Sequence, residues 1–131
     1  MLTYIKVLLD EEMSWIGRCS KNGNKDYWRA VSYGVYSTIS RLLMKLDDSE
    51  FPKIERLENS QEGNDVIGTY TLYGESYKIS LDDYGQCYFI TVGDEDYSLG
   101  TYNTDVERDC CGLILNHLYS KWLKELELIE K

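Results

Sequence analysis

The chain has 131 residues, 43% apolar and 28% charged, with one proline and four cysteines. That length suits a single domain with a core of its own, and the composition excludes collagen-like, low-complexity and membrane-spanning chains. Fourteen Lys and Arg stand against 23 Asp and Glu, a net charge of -9, so direct binding to nucleic acid is not the expected activity, because it depends on cations that release counterions.

In chain order, Leu2 to Leu9 fits a helix or a strand. Asn22-Gly23 is a hairpin-turn dipeptide, which suggests a strand over Ser14 to Ser20 and a partner beginning near Lys25. Val31, Val35, Ile39, Leu42, Leu43 and Leu46 recur at three and four and predict a helix from about Ser32 to Leu46. Asp47, Asp48, Ser49 and Pro52 end it. Lys53 to Asn59 suits an edge strand or a helical turn, and Gln61 to Asp65 a polar loop.

Val66 to Tyr73, Ser76 to Leu81, Gln86 to Val92 and Tyr97 to Tyr102 alternate apolar and polar residues and are rich in Tyr, Ile, Val and Thr. Period two predicts strands. The spacers Gly74-Glu75, Asp82-Asp83-Tyr84-Gly85 and Gly93-Asp94-Glu95-Asp96 each hold the glycine that a tight turn favours, so the four strands read as an antiparallel meander. Thr104 and Glu107 then fit a capping box. Cys111, Ile114, Leu115, Leu118, Trp122 and Leu126 follow at helical spacing and predict a C-terminal helix over 104–130 with one buried face.

The expected class is α+β: N-terminal helical elements, a four-stranded antiparallel meander with room for a fifth or sixth strand, and a C-terminal helix packed on one sheet face. No linker divides residues 1–131, so one domain is expected. The first nine residues lack a basic region ahead of an apolar core, and Cys110 and Cys111 are adjacent within the predicted helix, where a bridge between them would be strained. Both features point to reduced thiols and a cytoplasmic protein. Trp15, Trp28 and Trp122 read as core anchors, and Cys87 and Cys111 as small core residues.

The charge is unevenly placed. Residues 1–60 carry nine acids and nine bases, residues 110–131 three of each, and residues 61–109 eleven acids against Lys78 and Arg108 alone. Seven of the twelve tyrosines lie in the same acidic segment. In a meander alternate turns share one end of the sheet. Glu75, Asp94, Glu95 and Asp96 therefore gather at one end. Glu62, Asp65, Asp82, Asp83, Asp105, Glu107 and Asp109 gather at the other, with Tyr84 in the turn among them. The first turns of a helix also favour Asp105, Glu107 and Asp109 for the helix dipole alone.

Catalytic and metal chemistry find little footing. His117, the only histidine, is seven residues beyond Cys110, about 10 Å along a helix, too far for a Cys–His dyad. There is no paired-cysteine zinc spacing, no Gly-rich phosphate loop and no nucleophile elbow. Asn103, Asp105, Glu107 and Asp109 are spaced like the start of a calcium loop, but Arg108 stands where that loop needs Gly. No cofactor, metal or enzymatic activity is expected.

The acids interleaved with tyrosines suit a non-enzymatic binding surface for a basic partner, itself a nucleic-acid-binding protein, with steering by charge. In size, acidity and cytoplasmic character the chain resembles the small phage or mobile-element inhibitors of bacterial defence, the anti-CRISPR and DNA-mimic anti-restriction proteins. Those inhibitors share no common motif, so the resemblance transfers no residue. The alternatives are an immunity or antitoxin-like protein that caps one cognate toxin, and a self-associating structural domain, such as a homodimer through Tyr33, Tyr36 or a sheet edge.

Overall fold

The computed structural model describes residues 1–56, 66–81, 87–100 and 105–128. They form an α+β protein with element order α1 (Leu2–Cys19), α2 (Lys25–Met44), β1 (Glu55–Arg56), β2 (Val66–Leu72), β3 (Glu75–Leu81), β4 (Tyr88–Val92), β5 (Glu95–Gly100) and α3 (Val106–Glu125). The chain divides into two compact units, Met1–Asp47 with Leu115–Lys131, and Asp48–Ile114. Fifteen acids and four bases fall in the second unit; the first holds eight acids and ten bases. No helix of the described residues is long and apolar enough to cross a membrane.

The first unit is helical. Leu2, Ile5, Leu9, Met13 and Ile16 recur at three and four and form the buried stripe of α1. The strand expected over Ser14 to Ser20 is instead the end of this helix, and Asn22-Gly23 joins two helices rather than two strands. The local chemistry explains the difference: the side chain of Asn24 accepts from the Tyr27 amide at 3.1 Å and caps α2. Helix α2 therefore starts at Lys25, nearly two turns before the apolar repeat that marks it in the sequence. Ser32, Ile39 and Leu43 are its buried residues. On the second half of α3, Tyr119 stacks on Tyr36 with ring centroids 4.3 Å apart, and its hydroxyl lies 3.2 Å from Ser32 Oγ. Arg29 Nε donates to the Leu128 carbonyl at 2.6 Å.

Two expectations about burial change here. Trp15 is exposed, and Trp28 and Trp122 are only half-buried. Trp15 lies off the α1 stripe and makes an edge contact with Trp28 instead of entering the core. Along α3 the buried line runs through Cys110, Cys111, Ile114, Leu115, Tyr119 and Leu123, while Leu118, Trp122 and Leu126 of the expected face are half-buried.

The second unit is built on a five-stranded antiparallel sheet in the order β1-β2-β3-β4-β5. Glu55↔Thr69 pairing makes β1 a short edge strand. Tyr70, Leu72, Ile79, Ile90, Val92 and Leu99 are buried from the sheet, and Val106, Cys110, Cys111 and Ile114 from the first half of α3. The Tyr70 hydroxyl donates to the Glu107 carbonyl and fastens this half of the helix to the sheet. Cys87 stands just before β4 and is half-buried, at the end of the sheet rather than in its middle.

Both described hairpin loops have two residues. Tyr73 (φ 52°) and Gly74 (φ 81°) are both left-handed, as a type I′ turn requires, and Gly93 (φ 64°) precedes Asp94 in the other. Glu75, Glu95 and Asp96 are thus strand residues, not turn residues. The described end of α3 also differs from the sequence pattern. The Asp105 carbonyl accepts from the Asp109 amide at 2.9 Å, which puts Asp105 at the N-cap. Glu107 then falls one position too early for a capping box, and Thr104 lies outside the described residues.

Candidate functional site

The register brings four of the expected acids to one end of the sheet. Leu72↔Glu75 closes the β2–β3 hairpin and Val92↔Glu95 closes β4–β5. Since β3 and β5 flank β4 and the register sets Glu95 level with Tyr77, Glu75 and Glu95 are two strand spacings and two residues apart, about 12 Å. Glu75, Asp94, Glu95 and Asp96 are all exposed.

The two hairpins repeat a local pattern. Each second strand opens with a glutamate, followed two residues later by a tyrosine on the same face: Glu75 with Tyr77, Glu95 with Tyr97. The Tyr97 hydroxyl donates to Glu95 Oε2 at 2.7 Å, and Thr91 Oγ1 donates to Asp96 Oδ1 at 2.6 Å. Two carboxylates are therefore held in place by neighbouring hydroxyls. The Glu95 hydrogen bond is the main reason the Tyr97 phenol is raised above its usual pKa; burial is the main reason for Tyr77, with Glu75 adding to it. Lys78, exposed on β3, is the only Lys or Arg within β2 to β5.

The opposite end is less uniform. Asp105 and Asp109 are exposed at the start of α3. Partial burial raises the Asp109 carboxyl, Asp105 raises it further, and Arg108 opposes both. Glu107, expected on the surface, is buried. Its Oε1 lies 3.8 Å from Lys53 Nζ, and its Oε2 has no hydrogen-bond partner among the described residues. Arg108 reaches Asp48 at 2.6 Å and lies over the Phe51 ring at 4.7 Å. Arg108 therefore offsets part of the local negative charge. Glu62, Asp65, Asp82, Asp83 and Tyr84 lie outside the described residues.

The two cysteines of α3 are poor nucleophiles. Burial pushes both Cys110 and Cys111 up to about 12, far from the thiolate form that reactivity requires. Among the described residues no group of three or more His, Cys, Asp or Glu is placed to hold a metal ion.

Two features escaped the sequence reading. One is the left-handed Tyr73 at the acidic end; the Tyr-Gly pair before Glu75 was its only trace. The other is a row of exposed apolar residues on α1 and α2, including Tyr4, Trp15, Tyr27 and Leu42. The offset of Trp15 from the α1 stripe was the available signal for it. No protein-family model matches the chain, and comparison with curated proteins and with solved structures finds no match.

Proposed function

We propose that this protein is a non-enzymatic binding protein whose acidic, tyrosine-bearing hairpin end engages a basic partner of the kind that itself grips nucleic acid. The observation that carries this reading is the conformation of Tyr73, held at φ 52° in the turn that leads into Glu75. A bulky residue in the left-handed region costs about 1–2 kcal/mol, and Asn in its place would relieve most of that strain. Strain of this kind collects where a side chain serves a binding role, and tyrosine is a favoured interface residue.

The surrounding acids suit the same purpose. Glu95 and Asp96 are oriented by Tyr97 and Thr91, so little side-chain freedom is lost on binding. Carboxylates on a tyrosine-bearing edge resemble the charge of a phosphate backbone, and would steer the protein to the Arg- and Lys-lined groove of a nuclease. Occupying such a groove would inhibit the nuclease without chemistry.

Affinity capture from a nuclease-treated bacterial lysate tests the reading, with wild type beside a variant carrying Glu75→Lys, Asp94→Lys, Glu95→Lys and Asp96→Lys. Basic nucleic-acid-binding proteins should be retained by wild type, released by salt and lost with charge reversal. Binding that survives both treatments, or no binding by wild type, overturns it.

A further inference from the structure

Helix α2 carries a second seam beside its buried stripe. Tyr27, Val31, Gly34, Thr38 and Arg41 follow one another at four, three, four and three, the spacing by which one helix meets another. A groove of about 470 Å³ runs beside this seam between α1 and α2, with Leu8, Val31, Val35 and Ile39 as its apolar lining, Gly34 and Thr38 at its wall and Glu12 as its one charged lining residue. The apolar residues around it are open to solvent: Tyr4 is 60% exposed, Trp15 45%, Tyr27 61% and Leu42 41%.

We infer that two copies of this chain associate through this face, with their α2 helices crossing antiparallel at Gly34. Three observations favour a second copy as the occupant. The first is room for close approach. A Cβ built at Gly34 meets nothing within 4 Å, and Ala30 and Thr38 stand one turn to either side. Small side chains at a crossing let two helix backbones come close.

The second is charge complementarity under a two-fold axis. At 1.5 Å per residue, Asp26 lies about 12 Å from Gly34 along the helix and Arg41 about 10.5 Å in the other direction. A two-fold axis at Gly34 therefore sets Arg41 of each copy level with Tyr27 of the other, about 1.5 Å along the helix from the level of Asp26, and Ala30 level with Thr38. Such a self-complementary patch is what a closed dimer requires. Arg41 is exposed and makes no ion pair among the described residues, while Asp26 has only an exposed contact with Arg29 at 3.4 Å.

The third is area. With about 200 Å² for each aromatic side chain, the exposed parts of Tyr4, Trp15 and Tyr27 with Leu42 offer about 400 Å² of apolar surface per copy. Two copies would cover about 800 Å². At the usual apolar share of an interface this corresponds to about 1,400 Å² in total, the size of a stable, specific association.

Sedimentation velocity on the full chain over a wide concentration range tests the inference, with circular dichroism to confirm folding of each variant. Wild type should be a dimer in reversible exchange with monomer. Gly34→Trp, at a position open in the isolated chain, should weaken the dimer by tenfold or more. Asp26→Arg and Arg41→Asp should each weaken it, and the double variant should recover most of the loss, because the reversed pair meets again across the axis. A wild type that stays monomeric throughout, a dimer indifferent to Gly34→Trp, or a double variant no better than the singles overturns the inference.

Discussion

The Tyr70 hydroxyl donates to the main-chain carbonyl of Glu107 at 3.1 Å, across 37 residues of sequence. It ties a buried position of β2 to the first turn of α3. Burial, followed by the nearby Cys111, Cys110 and Glu107, raises the Tyr70 phenol well above its usual range, which favours the protonated, donating form. Tyr70→Phe removes this bond and little else. The expected cost is about 1 kcal/mol, since the carbonyl still has its helical partner. Urea denaturation should show a lower midpoint with an unchanged slope; an unchanged midpoint would mean the bond adds nothing.

Alkaline stability follows from the two buried thiols. Their folded pKa values, pushed up to about 12, lie above the ordinary thiol range. A raised folded pKa means the unfolded chain loses its proton first. Stability is therefore intact below about pH 9 and falls as pH climbs toward 12, by about 1.4 kcal/mol per pH unit for each thiol. Cys110→Ala with Cys111→Ala should lower stability at neutral pH through lost packing, yet flatten this alkaline decline. Equal slopes in both proteins would contradict the assignment.

Two left-handed residues separate local strain from binding. Glu127 has φ 59° just past α3, where the Leu128 amide bonds the Leu123 carbonyl and the Glu127 amide the Lys124 carbonyl. That is a Schellman ending, whose left-handed position favours glycine. Glu127→Gly should raise stability by about 0.5–1 kcal/mol without touching partner capture. Tyr73→Asn should raise it by a similar amount, because Asn-Gly suits the type I′ turn, but should weaken capture. Thermal melts and the capture assay, run on both variants, check the contrast.

Arg108 pairs with Asp48 and covers the Phe51 ring in one posture. Lysine keeps the charge but lacks the planar group that does both. Arg108→Lys is expected to cost about 1 kcal/mol, with the loss reduced when Phe51 is already Leu. A double-mutant cycle measured by denaturation reads that coupling directly.

Glu95 holds the Tyr97 phenol above its usual pKa through their hydrogen bond. Glu95→Gln should move the Tyr97 titration back toward the ordinary value, seen by ultraviolet titration against a Tyr97→Phe control. A titration that does not move would show that the pair is absent in solution.

How legible the molecule was depended on how local each signal is. The strands of the sheet were readable because Tyr77, Ile79 and Leu81 alternate with Ser76, Lys78 and Ser80 whatever lies around them. The α1 stripe was equally regular, but Asn22-Gly23 suggested a hairpin because the same residues suit helix ends and tight turns. The acids at Glu75, Asp94, Glu95 and Asp96 were placed together from hairpin order alone, and the register agrees. Glu107 was misjudged because its burial and its approach to Lys53 join residues 54 positions apart, a relation no local spacing records.

By itself the sequence determined the α+β class, the meander order and the concentration of negative charge around the strands, because periodicity, turn chemistry and formal charge are properties of neighbouring residues. Only tertiary structure decided that Glu107 is inside, that Trp15 is outside, that Glu95 and Asp96 are already held by Tyr97 and Thr91, and that Tyr4, Tyr27 and Leu42 of the N-terminal helices are left exposed. Burial and hydrogen bonding are set by what packs against a side chain, and those partners come from distant parts of the chain.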